Sequence, residues 1–278
     1  MQIQFQDVSH RYVSLQADVS WALANISLTI NQGDSLSVLG QTGSGKSTFI
    51  RVMCGLSVPS RGDVLVDGVS TRKRSLRNRL PGRIGYLFQN SEAQFFHANV
   101  YDDIATGPRN LGLSEDEVAA KVAGSMQAVG LSASFADRSP YELSGGEQRR
   151  VALAGILVMQ PDVLIVDEPT AMLDAEQRER VLTILQTVKE QGTTLILVTH
   201  RPQEALYLTN QALILVQGRM VHLGLTRDLF STPKPMRDAG LELPLPTLLH
   251  EGILKQGVDV PEPWYVLNDV YRWVKTHA

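Results

Sequence analysis

A glycine-rich loop that ends in a lysine and two hydroxyl side chains is the most chemically informative stretch of the sequence. It reads Gly40-Gln41-Thr42-Gly43-Ser44-Gly45-Lys46-Ser47-Thr48, after the apolar run 35–39 and before the helical run 49–55. This is the complete G-x-x-x-x-G-K-[ST] pattern in its required strand-loop-helix context. Such glycines let backbone N–H groups surround phosphate oxygens, and the helix N-terminus adds a partial positive charge. The loop therefore predicts nucleoside triphosphate binding, with Lys46 at the β- and γ-phosphates and Ser47 on Mg²⁺.

A second informative feature is a pair of acidic residues at the end of an apolar run. Residues 163–166 are all apolar, and Asp167 and Glu168 follow them directly. Because buried adjacent carboxylates are costly unless cations or hydrogen bonds compensate them, the pair indicates a site rather than a solvated turn. We expect Asp167 to hold Mg²⁺, directly or through water, and Glu168 to polarise the attacking water as a general base.

These residues need a scaffold, and the apolar pattern predicts a mostly parallel α/β sheet. Short apolar runs typical of strands buried on both faces recur at 35–39, 83–88, 163–166 and 194–198, and we expect a further strand within residues 1–12. Between residues 90 and 161 apolar positions return at helical spacing instead, which predicts a helical insertion. After residue 225 prolines become frequent, so we place a small appendage at 226–278 and the main domain at 1–225. These prolines are Pro233, Pro235, Pro244, Pro246, Pro261 and Pro263.

Composition narrows the class of protein. The net charge of −3 gives no global indication of a nucleic-acid binder, so any basic site must be local. The single cysteine, Cys54, cannot form an internal disulfide, and we interpret it as a small buried apolar residue. The longest apolar run, 151–159, is far shorter than the ~20 residues that cross a bilayer. We expect a protein that is itself soluble, so that a role at a membrane would need partners.

Several classes of protein use phosphate loops, and one further segment of this chain distinguishes among those classes. It reads Leu143-Ser144-Gly145-Gly146-Glu147-Gln148-Arg149-Arg150. It resembles the signature motif of ATP-binding-cassette ATPases, with Glu147 where glutamine is commoner. Ser144, Gly145 and Gly146 open a helix and would form a second anion cradle from a hydroxyl and unobstructed N–H groups. Ser144 could also simply cap that helix, and the two roles are compatible.

Other elements of this family follow in the expected order along the chain. Gln89 resembles the lid glutamine that senses nucleotide and contributes to the metal site, and Asp174 resembles the aspartate of the loop that crosses the dimer interface. His200 resembles the switch histidine that contacts the γ-phosphate. Tyr12 matches the aromatic residue that stacks on adenine, with Phe5 and Trp21 as alternatives.

The resemblance implies the fold and the assembly. The fold is α/β: a P-loop NTPase with a mostly parallel sheet, an antiparallel β subdomain, a helical insertion and a small C-terminal extension. The ligands are ATP and Mg²⁺. In this family each nucleotide lies between the phosphate loop of one subunit and the signature segment of the other, so the chain is expected to pair with an identical or paralogous ATPase subunit.

Two further segments resemble the ATPase subunits of energy-coupling-factor importers, which take up vitamins and transition-metal ions. They are residues 88–96 with 100–108, in which Ser91 replaces the usual proline, and residues 240–246, which resemble the start of a helical dimerisation extension. The resemblance implies a transmembrane coupling subunit, a substrate-binding membrane subunit, and a peripheral location on the cytoplasmic face of the cell membrane. Phe95 and Phe96 are either anchors for the coupling subunit or packed inside the helical insertion. The transported solute is not encoded in this chain.

Two other classes of function compete with an importer. The basic cluster Arg72, Lys73, Arg74, Arg77 and Arg79 would suit a soluble cassette ATPase that acts on nucleic acid or ribosomes. Basic clusters are more often solvated loops, and the tandem cassettes or long coiled coil common in such proteins are not evident, so we expect no nucleic-acid partner. A small-molecule kinase would explain the phosphate loop but leaves residues 143–150 without a purpose.

Overall fold

The computed structural model describes residues 1–12, 20–260 and 263–277, so Pro261 lies outside the described residues. Within these ranges the strands are β1 (Ile3–His10), β2 (Leu23–Ile30), β3 (Ser35–Leu39), β4 (Arg61–Val66), β5 (Val69–Ser70), β6 (Ile84–Leu87), β7 (Val163–Asp167), β8 (Thr194–Val198), β9 (Gln211–Val216) and β10 (Arg219–Leu225). The helices are α1 (Lys46–Met53), α2 (Arg74–Arg77), α3 (Val100–Asn110), α4 (Glu115–Ala128), α5 (Gly145–Leu157), α6 (Ala175–Glu190), α7 (Pro202–Leu208), α8 (Thr226–Ser231), α9 (Lys234–Asp238), α10 (Leu245–Lys255) and α11 (Leu267–His277).

The strands form two sheets, as predicted. The larger sheet has the order β10-β9-β3-β8-β7-β6 and is parallel except for the edge strand β10, which pairs antiparallel with β9. The smaller sheet has the order β2-β1-β4-β5 and is antiparallel. Because β3 and β7 are parallel to their common neighbour β8, their carboxyl ends meet at one edge of the larger sheet. The phosphate loop and the acidic pair are therefore neighbours in space.

Two large apolar clusters cover the sheets. One joins the antiparallel sheet, α1 and inward-facing residues of the central strands, such as Val38 and Ile165. The other joins α3–α6 to the alternate residues of the same strands, such as Leu164 and Leu197. The strands are thus buried on both faces, which explains why they are continuously apolar in sequence.

The predicted helical insertion divides into two parts. Helices α3 and α4 begin at hydrogen-bonding caps, Asn99 and Ser114, and pack on each other and on α5. Helix α5, although within 90–161, also contacts β6 directly and buries apolar side chains such as Leu153 in the cluster that covers the central sheet. The helix that begins at the signature segment is therefore packed against the central sheet.

The chain beyond residue 225 begins close to the main sheet. Phe230 and Met236 of α8 and α9 pack with Leu39 and Ile214 of the sheet in a third apolar cluster. Helices α10 and α11 follow and contact each other. Among the described residues, none of the helices combines the length and the apolar character needed to cross a membrane.

Candidate functional site

The phosphate loop links β3 to α1 through glycines with left-handed backbone. Gly40, Gly43 and Gly45 have φ of 154°, 81° and 106°. A Cβ on Gly40 would lie 2.4 Å from Ser44 Oγ, and one on Gly45 would lie 2.5 Å from the Ala22 carbonyl oxygen. Only glycine satisfies both the φ angles and the close contacts, so the pattern seen in the sequence reflects real steric limits.

Lys46 lies at the start of α1 and points back into the loop. Its Nζ donates hydrogen bonds to the carbonyl oxygens of Gly40, at 2.6 Å, and of Gln41, at 3.0 Å. Burial lowers the pKa of Lys46, whereas the carboxylates of Glu168 and Asp167 act in the opposite direction. The ammonium group is thus held close to the acidic pair.

The acidic pair sits where β7 ends. Asp167 accepts a hydrogen bond from the Tyr86 hydroxyl at 3.1 Å, and burial raises the pKa of the Asp167 carboxyl despite this bond. Glu168 is 8% exposed and has a φ of 47°, unusual for a residue other than glycine. Its backbone N–H donates to the Val198 carbonyl at 2.8 Å, which ties this turn to the end of β8.

His200 follows β8 and contacts Glu168, which follows the neighbouring strand β7. The Glu168 Oε1 atom accepts the backbone N–H of His200 at 2.9 Å and lies 2.7 Å from its Nδ1. The ring of His200 nevertheless remains largely exposed, with 64% of the side chain accessible. The histidine therefore holds the carboxylate, and its exposed ring lines the cleft described next.

Most of the predicted ligand-binding residues line one cleft of about 1480 Å³. The predicted residues in its wall are Gly40, Gln41, Thr42, Gly43, Gly45, Lys46, Ser47, Thr48, Gln89, Asp167, Glu168 and His200. The Ser44 hydroxyl is buried inside the loop, and no other described residue forms a hydrogen bond with it. The cleft is large enough for a nucleotide, and its polar floor is formed by the phosphate loop.

The three aromatic candidates for the adenine contact lie in different places. Phe5 is buried and stacks on Phe49 with ring centroids 4.7 Å apart, so it belongs to the core. It is therefore not available to stack on adenine. Tyr12 is half exposed, and its hydroxyl lies 3.2 Å from Thr48 Oγ1 at the edge of the loop. Trp21 contributes directly to the cleft wall.

The signature segment lies outside this cleft. Ser144 caps α5 in a capping box: its Oγ lies 2.7 Å from Glu147 Oε2 and accepts the Glu147 N–H at 3.4 Å. These bonds lower the pKa of Glu147. Gly145 is exposed, and a Cβ there would meet no atom of the described residues within 4 Å. Gly146 is buried, and a Cβ there would lie 2.6 Å from the side chain of Gln177 on α6.

Asp174 also lies outside the cleft, at the start of α6. Its side chain accepts the Gln177 N–H at 2.8 Å and so caps the helix. Met172, two residues before Asp174, is fully exposed and has a φ of 62°. Through Gln177, the Asp174 loop and the signature segment meet on one face of the chain.

Arg149 is a connecting residue that sequence reasoning missed. Its buried guanidinium donates to the carbonyl oxygens of Phe88 and Gln89, each at 2.8 Å. Burial lowers the pKa of this arginine, while Asp167 opposes the shift. One side chain therefore joins the signature helix to the loop that carries Gln89. Only its place within the signature segment hinted at a role.

Glu204 on α7 is a second residue that the sequence did not reveal. It is buried and accepts hydrogen bonds from the hydroxyls of Thr170 and Thr199. These two threonines follow Glu168 and precede His200, respectively. Burial raises the pKa of Glu204, and the two hydroxyl bonds act in the opposite direction.

Two more segments were not assigned to the cleft from the sequence, because their contacts are long-range. They are the β9–β10 turn at 217–219 and residues 240–242. The Gly218 N–H donates to the Ser44 carbonyl at 2.9 Å, and a Cβ on Gly218 would lie 2.7 Å from the Ala22 carbonyl oxygen. The Gln217-Gly218 dipeptide indicates a turn in the sequence, but nothing in it indicates where the turn packs.

Known proteins with similar sequences are consistent with a nucleotide-binding role for this cleft. A family model described as ABC transporter matches residues 23–171. The energy-coupling factor transporter ATP-binding protein EcfA2 of Symbiobacterium thermophilum is 40% identical over 277 residues, which cover 99% of this chain and 96% of that protein. A protein of the same name from Clostridium perfringens is 36% identical over 271 residues, with coverage of 96% and 95%.

Two solved structures extend the agreement to the fold. The structure of cbiO1 from Clostridium perfringens, part of the ABC transporter complex cbiONQ, has a TM-score of 0.76 and 32% identity and covers 90% of this chain and 98% of that one. A dimeric post-hydrolysis state of the ATP-binding cassette MJ0796 bound to ADP and Pi has a TM-score of 0.74 and 26% identity, with coverage of 81% and 99%. The P-loop fold expected from the sequence is confirmed. On this agreement in both sequence and fold, the chain belongs to the ABC transporter family and is the ATP-hydrolysing subunit of a membrane importer of the energy-coupling-factor type.

Proposed function

We propose that this chain hydrolyses ATP in a site completed by a second ATPase subunit, identical or paralogous. The observation that carries the proposal is the division of the phosphate-binding groups. Lys46, Glu168 and His200 share one cleft, whereas the signature residues at 144–146 lie outside it at the start of α5, where Ser144 and Gly145 are exposed. A single chain therefore presents one half of each of two sites, and a two-fold pair would complete both.

Each group in the cleft then has a defined task. The loop amides and Lys46 hold the triphosphate, and Glu168 accepts a proton from the attacking water. His200 orients Glu168 through the bond at 2.7 Å and contacts the γ-phosphate with its exposed ring. Ser144 and the amides of Gly145 and Gly146 in the second subunit contact the same phosphate from the other side, and Asp174 crosses the interface.

The donor set also fits Mg²⁺. The Ser47 hydroxyl and the Asp167 carboxylate line the same cleft, and Gln89 adds an amide oxygen. Magnesium is commonly held by one or two carboxylates together with substrate phosphates, so one acidic ligand suffices. When bound, the ion would neutralise charge on the β- and γ-phosphates.

Coupling to a membrane partner would run through the loop that follows Gln89. Phe95 is buried and contacts the Tyr141 ring edge-on, so it packs inside the helical insertion and is not available as an anchor. Phe96, in contrast, is 81% exposed and remains the candidate contact for a transmembrane coupling subunit. The proposal also includes such a coupling subunit, a substrate-binding membrane protein and a peripheral position on the cytoplasmic face of the membrane. Residues 1–225 would form the ATPase domain, and residues 226–278 would form the dimerisation extension.

The basic cluster gives the nucleic-acid alternative little support. Arg72 donates to the carbonyl oxygens of Pro59 and Gly62, and Arg77 donates to those of Thr71 and Arg72. Arg79 donates to the carbonyl oxygen of Ser75, so three of the five basic side chains bond to the backbone of their own segment or of the neighbouring strand. Salt-sensitive binding to nucleic acid without a membrane partner would instead favour the alternative.

The variant Glu168→Gln tests the proposal. We expect it to bind ATP, to hydrolyse it at least ~10²-fold more slowly because the general base is lost, and to accumulate as a closed dimer. Sedimentation with and without ATP measures the pairing, and the unmutated chain with ADP is the control. A variant that binds ATP but stays monomeric, both alone and when mixed with the paralogous ATPase subunit, would contradict the shared site.

A further inference from the structure

Gln41 connects the phosphate loop to the C-terminal part of the chain. Its side-chain Nε2 donates to the Gly240 carbonyl at 3.0 Å, and its own carbonyl accepts the Lys46 Nζ at 3.0 Å. One residue thus contacts both the lysine assigned to the phosphates and a residue 199 positions later in the chain.

Gly240 is suited to this contact by its conformation. It follows α9 with a φ of +65°, and the N–H groups of Gly240 and Leu241 donate to the carbonyls of Arg237 and Met236 in a helix-ending turn. A Cβ on Gly240 would lie 2.3 Å from Gln41 Nε2. The positive φ of the turn favours glycine, and a Cβ there would displace the end of the Gln41 side chain.

The segment around Gly240 is fixed to the body of the chain on both sides. Met236 is fully buried in the cluster that contains Leu39, the last residue of β3 before the phosphate loop. Arg237 of α9 forms an ion pair with Glu251 of α10. Residues 240–242 also line the same cleft as Lys46. A continuous set of contacts therefore runs from the phosphate loop to α10.

We infer that residues 240–242 are part of the nucleotide site and that Gln41 transmits nucleotide binding to α10. This inference rests on the proposed role of Lys46. When Lys46 redirects its ammonium group to phosphate oxygens, its bond to the Gln41 carbonyl is exchanged, and the position of Gln41 relative to Gly240 changes with it. Because such coupling is reciprocal, the position of α10 also affects nucleotide affinity.

Hydrogen exchange of the backbone amides in 245–255, with and without Mg-ADP, tests the inference. ADP is chosen because it lacks the γ-phosphate that joins the subunits, and light scattering would confirm that the chain stays monomeric. We expect ADP to change these exchange rates about fivefold in the unmutated chain. The change should be absent in Gln41→Ala and in Gly240→Ala.

Gly257→Ala is the matched control. Gly257 also has a positive φ, +78°, but a Cβ there meets no atom of the described residues within 4 Å. This variant therefore carries the backbone strain without the contact to Gln41 and should respond to ADP like the unmutated chain. Titration with fluorescent ADP is measured separately. If the unmutated chain does not bind ADP at all, the proposed function is contradicted. Normal binding with no exchange response in the unmutated chain, or with an equal response in Gln41→Ala, would overturn the inference alone.

Discussion

At the scale of the residue, the cleft concentrates opposite charges in a partly buried place. Lys46 lies near Asp167 and Glu168, and the pKa of Lys46 falls while that of Asp167 rises because burial disfavours both charged forms. A triphosphate with its metal ion adds charges of both signs to this cleft. These charged groups line the cleft that we propose as the nucleotide site.

Cys54, at the end of α1, gives a residue-scale prediction. Burial raises the pKa of its thiol to about 12, and the side chain is partly buried against the first apolar cluster, where the sequence interpretation expected a buried one. Because the thiolate is the reactive form, we expect alkylation by iodoacetamide at pH 8 to be at least ~100-fold slower than in the urea-unfolded chain. The rate should keep rising with pH between 7 and 10. A plateau near pH 9, as expected for the unfolded chain, would show that the thiol is not shielded.

At the scale of the element, the sequence predicted the strands better than their connections. β3 and β8 have the expected bounds, and β7 extends the expected run by one residue, because strands buried on both faces leave continuous apolar runs. The local pattern also located the phosphate loop and the acidic pair. It could not reveal Arg149, Glu204 or residues 240–242, because their partners are distant in sequence and a buried polar contact leaves no periodic pattern.

Helix α7 provides the prediction at this scale. Glu204 holds Thr170 and Thr199, and so fixes the spacing between the turns that carry Glu168 and His200. We expect Glu204→Ala to lower kcat about 10- to 100-fold, because small misplacements of catalytic groups are costly, while the KM for ATP changes little. Glu204→Gln, which keeps one acceptor oxygen, should recover part of the rate. The exposed neighbour Gln203 supplies the control Gln203→Ala, and equal kcat values in the two alanine variants would exclude the positioning role.

At the scale of the whole molecule, two connections lead out of the nucleotide cleft. Arg149 joins the loop of Gln89 to the signature helix, and Gln41 joins the phosphate loop to the segment before α10. The first would relay nucleotide binding to the half-site that this chain offers its partner. The second would relay it to the proposed dimerisation extension. Each contact joins the nucleotide cleft to an element proposed to face the second subunit. Such links are needed if nucleotide binding is to open and close the pair of subunits.

The central claim, that each nucleotide site is built from two chains, is tested most directly by mixing two inactive variants. Ser144→Arg blocks the signature segment and leaves the phosphate loop intact, whereas Lys46→Ala does the reverse. A mixed pair contains one intact site only if sites are shared between chains. At equal amounts and random pairing, we predict an ATPase rate about a quarter of that of the unmutated chain measured alone, although each variant by itself is inactive. A mixture that stays as inactive as its components, under conditions where the unmutated chain hydrolyses ATP, would contradict the account.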